Sequence, residues 1–109
     1  GYFNLSCVYD DLSEYALSKV YLEKAKRYGY SVPDCQNTLA SILIHEGKLD
    51  EAEQILNGIS DVPESFFNLG VVSLKRNDRK RAKEFFNEYE KRAEDSRVVY
   101  IEYAQNFNN

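Results

Sequence analysis

His45, Cys7, Cys35 and adjacent acids such as Asp10-Asp11 and Asp50-Glu51 are the residues of this chain whose types could do chemistry. Nucleophilic catalysis needs a base beside a nucleophile, and a metal site needs several ligands converging on one point. Neither pattern is written here. His45 has no Cys or His at helical spacing, and the two cysteines lack CxxC spacing. They read as small, buried or half-buried side chains in a reducing compartment, with a cytoplasmic location expected. Adjacent acids diverge around a helix and read as solvated faces. Glycine-rich phosphate loops are missing too, so the expectation is a non-enzyme without cofactor or metal. The basic run "KRNDRKRAK", Lys75 to Lys83, straddles a turn and is interrupted by Asp78; it reads as a solvated turn, with contact to an acidic partner as the second reading.

Composition narrows the class. The 109 residues suit one domain, 43% of them hydrophobic and 29% charged, and no apolar run approaches the roughly 18 residues of a membrane span. The net charge of −4 is uneven: residues 1–60 hold nine acids and five bases, residues 61–109 nine of each. A nucleic-acid binder is usually more basic. Methionine is absent, so the chain is expected to be an excerpt of a longer protein, with Gly1 as a cleavage scar.

The elements that must position any site announce themselves by repetition. "YFNLSCVY" at Tyr2–Tyr9 returns as "FFNLGVVS" at Phe66–Ser73. Aligning Leu5, Leu39, Leu69 and Tyr103 gives steps of 34, 30 and 34 residues, and the next residue is always small: Ser6, Ala40, Gly70, Ala104. One turn beyond stand Tyr9, Leu43, Ser73 and Phe107. A second small residue follows in each unit, Ser18, Ala52 and Ala82, with Leu22, Leu56 and Phe86 four later and Ala25, Ile59 and Tyr89 seven later. Each unit is therefore a pair of amphipathic helices. Turns are expected at Leu12-Ser13, Glu46-Gly47 and Arg76-Asn77, and helix starts at "SVPD" (Ser31–Asp34), "DVPE" (Asp61–Glu64) and Asp95-Ser96. The short 30-residue step falls in the second helix of the middle unit. Four missing residues are about one turn, so that helix should be about 5–6 Å shorter with its apolar face still inward.

A 34-residue helix-turn-helix with this small-residue register resembles the tetratricopeptide repeat. The likeness covers nearly the whole chain as one domain: units at about 1–32, 33–62 and 63–95, then a capping or truncated-repeat helix at 96–107. The usual Trp position holds Tyr2, Gln36, Phe66 and Tyr100, and Ser6 replaces the expected Gly. The resemblance implies an all-α, right-handed superhelical solenoid of antiparallel hairpins, with first helices inside. The pentatricopeptide repeat, an RNA-reading relative, is a minor alternative suggested by Pro33–Leu56, but steps of 34 and 30 do not suit one base per repeat.

The resemblance further implies a concave wall built from first-helix positions. Here those are Phe3, Asn4, Cys7, Asp10 and Asp11; Asp34, Asn37, Thr38, Ser41 and His45; Glu64, Phe67, Asn68, Val71 and Lys75; then Ile101, Glu102 and Gln105. Amides such as Asn4 and Asn68 can hold an extended backbone, Phe3, Phe67, Val71 and Ile101 can anchor it, and the acid excess suits a neutral or basic segment of another protein. Clamping of an acidic chaperone tail is not expected, because the clamp positions hold Phe3, Cys7, Thr38, Glu64 and Asn68, with no cation among them. The alternative is a structural segment of a longer array, or a homodimer formed through the terminal helix with Tyr100, Tyr103 and Phe107.

Overall fold

Among the described residues six helices follow one another: α1 (Tyr2–Asp11), α2 (Tyr15–Arg27), α3 (Val32–His45), α4 (Leu49–Asn57), α5 (Glu64–Lys75) and α6 (Arg79–Asn108). The structure, a computed structural model, describes the backbone of residues 1–108 and the side-chain surroundings of residues 1–94. Four helices stop at a left-handed residue: Ser13 (φ 61°), Gly29 (95°), Gly47 (81°) and Asn77 (61°). One closure recurs at all four. The next N–H reaches back five residues, from Glu14 to the Tyr9 carbonyl (2.8 Å), Tyr30 to Ala25 (3.0 Å), Lys48 to Leu43 (2.8 Å) and Asp78 to Ser73 (2.9 Å). These bonds satisfy carbonyls the helix end leaves free and reverse the chain.

The expected helix starts fare differently. Ser31 caps α3, its Oγ accepting from the Asp34 N–H at 3.4 Å, with Pro33 in the first turn. Asp61 does not cap α5, which begins later, at Glu64. Val62 explains the difference: it is buried in the core whereas its counterpart Val32 is exposed, and drawing it inward winds Ile59–Pro63 into successive turns. Ile59, expected on the second helix, lies just past α4 and still fills the core. No helix starts at Asp95-Ser96, because α6 runs unbroken to Asn108. Neither proline nor glycine interrupts residues 79–108, and Asp and Ser lower helix propensity only slightly.

The shortened middle helix is where the spacing puts it. α2 has 13 residues and α4 nine, the four-residue difference the 30-residue step requires. Because a turn is removed whole, Ala52 and Leu56 stay fully buried.

Within each hairpin the small residues form the seam. Ser6 and Ser18, both fully buried, close the α1–α2 seam reciprocally: Ser6 Oγ donates to the Ser18 carbonyl (2.8 Å) and Ser18 Oγ to the Ser6 carbonyl (2.7 Å). Ala40 and Ala52 occupy the second seam, in the core cluster that also holds Leu43, Leu56 and Leu69. At the third, a Cβ on Gly70 would lie 2.5 Å from the Phe86 ring, so only glycine fits.

Between hairpins, α2 packs on α3 and α4 on α5, while α1 touches α3 and α3 touches α5. Among the described residues α2 and α4 make no comparable approach to each other. First helices that touch from unit to unit lie at the inner radius of a curved stack; second helices that do not lie outside. The described residues are all-helical, without a strand, and form a helical repeat solenoid.

Candidate functional site: the first-helix wall

Register decides where each wall residue points. Two residues before the aligned leucine stand Phe3, Asn37 and Phe67; one before stand Asn4, Thr38 and Asn68. Phe3 and Asn37 of the first set meet the following hairpin, and Asn68 of the second meets the preceding one. Asn68 on α5 donates its amide to Asn37 Oδ1 on α3 at 2.9 Å, which ties the two helices together. Phe3 packs against the Leu22, Ala25, Cys35 and Ile42 cluster and stacks on Tyr30 with centroids 4.2 Å apart. A second joint of this kind lies near the helix ends, where His45 Nδ1 meets Asp10 Oδ1 at 2.9 Å. Phe3, Asn37, Asn68, Asp10 and His45 are thus engaged in joining hairpins, and the Asn68 amide that the sequence suggested as a backbone holder is already committed to Asn37.

What stays open is the strip between the joints. Cys7, Ser41 and Val71 occupy one register on α1, α3 and α5, and all three are half-buried, as is Thr38. Asn4, Asp11, Glu64 and Lys75 are exposed around them, Asp11 and Glu64 giving the rim its negative charge. Burial, aided by Asp11 and Asp10, pushes the Cys7 thiol above the ordinary range, so it stays neutral on the strip. Burial likewise raises Cys35, against an opposing effect of Lys26. Both cysteines are free. Ile101, Glu102 and Gln105, with the proposed dimer residues Tyr100, Tyr103 and Phe107, lie outside the residues whose side chains are described.

The sequence reading missed two aromatic clusters. One gathers Tyr2, Tyr9, Tyr21 and Tyr28 on the first hairpin, with Lys24 Nζ 5.2 Å from the Tyr21 centroid and 5.7 Å from that of Tyr2. Its cleft, about 390 Å³, runs between Asn4 and Tyr30. The signal was the crowding of six of the nine tyrosines into residues 1–30. The other is Phe67, Phe86 and Tyr89 at the far end, legible only as large residues where hairpin 1 has Leu22 and Ala25.

The basic run is also partly resolved. Arg76 turns back onto α4, pairing with Glu53 at 2.6 Å and with Asp50. Among the described residues no group of three or more His, Cys, Asp or Glu could hold a metal ion, and no helix is long and apolar enough to cross a membrane. A family model described as tetratricopeptide repeat matches residues 1–28, the span of α1 and α2. No curated protein matches the chain.

Proposed function

With a tetratricopeptide repeat at residues 1–28 as the premise, and protein-interaction scaffolding as the general role of such repeats, we propose that the first-helix strip binds an extended segment of another protein, neutral or basic in character. The observation that carries this reading is the Cys7, Ser41 and Val71 register. These three keep partial exposure along α1, α3 and α5 while neighbouring positions are used up in joints. Small side chains leave room for a backbone to lie close, and the Asp11 and Glu64 rim favours cations over carboxylates.

A peptide array of neutral, basic and acidic sequences tests it. The purified chain should retain neutral or basic peptides, and a Ser41→Arg, Val71→Arg variant with an unchanged circular dichroism spectrum should lose them. Preference for acidic peptides, or undiminished retention by the variant, would refute the strip as the binding face.

A further inference from the structure

We propose that the open end of the stack, where α5 meets the start of α6, is a seat for a helix of another polypeptide carrying small or aliphatic residues at i, i+4 and i+7 and a carboxylate at i+11. This inference needs nothing from the first-helix strip. It comes from reading the two joints inside the chain as templates for the third.

At the first joint α3 lies on hairpin 1. Cys35, Leu39 and Ile42 pack with Phe3, Leu22 and Ala25, and Glu46, eleven residues beyond Cys35, pairs with Lys19 at 2.5 Å. Eleven residues are close to three full turns, so the carboxylate falls on the docking face. At the second joint α5 lies on hairpin 2. Ser65, Leu69 and Val72 are buried in the same registers, and Arg76, in that of Glu46, grips Glu53 and Asp50. Lys19 and Glu53 are themselves equivalent, each following the small seam residue of its second helix. Each joint thus has an ion pair at the Lys19/Glu53 position, joined at the second by Asp50, and the sign is reversed between them.

Hairpin 3 carries the receiving half of a third joint. Phe67 stands for Phe3, Phe86 for Leu22, Tyr89 for Ala25, and Lys83 for Lys19, with Lys80 in the register of Asp50. Phe67 is 47% exposed although its equivalent Phe3 is packed into a cluster. Its ring lies 5.5 Å from those of Phe86 and Tyr89, and the three border a cleft of about 340 Å³ with Glu90 at the edge. Lys80 and Lys83 are exposed and form no ion pair among the described residues. An apolar floor ending in two unneutralised cations calls for the acid-bearing type of helix, as α3 is, and disfavours the Arg-bearing type, as α5 is. Glu90 occupies the register of Lys26, which acts on Cys35 at the start of α3, so a helix seated here would begin beside an acid that suits its positive N-terminal end. Among the described residues none returns to the seat after α6 begins, because α6 continues without a break to Asn108.

The test titrates the ¹⁵N-labelled full chain with a synthetic peptide of residues 31–48, under reducing conditions. Amide shifts should saturate and centre on Phe67, Lys83, Phe86 and Tyr89. Glu46→Lys in the peptide should weaken binding about two- to fivefold, as for an exposed ion pair, and Lys83→Glu in the chain should restore the Glu46→Lys peptide. Absent saturation, equal affinity for the two peptides, or shifts centred on Phe3, Leu22 and Ala25 would overturn the proposal. So would peptide-independent self-association abolished by Lys83→Glu, which would give the seat to a second copy.

Discussion

Ser13 holds φ 61° without being glycine, at a turn where the equivalent positions hold Gly47 and Asn77. A Cβ in the left-handed region is penalised, and the serine persists because the Glu14–Tyr9 closure fixes the backbone there. Ser13→Gly should therefore stabilise the chain by about 0.5–1 kcal/mol, raising Tm by roughly 2–8 °C in a thermal melt. No gain would mean that the turn geometry is wrong. Single residues were legible where their chemistry is local: Gly47 and Asn77 as helix ends, Ser31 as a cap. They were not legible where a neighbour in space decides. Asn68 and Asn4 look alike in the sequence, yet among the described residues only Asn68 finds an amide partner, Asn37 on the neighbouring first helix. His45 read as isolated because Asp10 stands 35 residues away, on a different helix.

At the scale of the element, each seam is a matched pair rather than a row of small residues. Ser6 and Ala40 face second helices carrying Leu22 and Leu56; Gly70 faces Phe86, whose larger ring takes the space a Cβ would need. Gly70→Ala should cost about 1–3 kcal/mol by overpacking, and Phe86→Leu should recover much of that loss in the double variant. Chemical denaturation of the four-member cycle measures the coupling; additive effects would show that the two residues do not share the seam. Helix periodicity made α1 to α5 readable, and the short α4 followed from counting alone. The α6 boundary was not readable, since Asp95-Ser96 has cap-like residues but no breaker, and an uninterrupted backbone costs less there than a new turn. Asp61 misled for a related reason: burial of Val62 outweighed a cap worth about 1 kcal/mol.

For the whole molecule, what matters is that among the described residues hairpins meet only their neighbours. Equivalent residues then differ according to whether a neighbour is present. Val8, Ile42 and Val72 share one register; Ile42 and Val72 are buried against the hairpin before them, whereas Val8, on the first of the described hairpins, is 51% exposed. Phe67 at the last hairpin shows the same effect in the opposite direction. The sequence carries the repeat but not the contacts between units, so the wall residues it nominated divide into joints and open strip only once the hairpins are stacked. Such a one-dimensional architecture stands or falls on the close approach within each unit. Thermal unfolding of Ala52→Leu tests that approach most directly, because leucine is a good helix former and would be harmless at a roomy position. The midpoint should fall by at least about 5 °C, the effect of roughly 1 kcal/mol or more of overpacking in a domain of this size; an unchanged or higher midpoint would contradict the nested hairpins on which the wall and the end seat both depend.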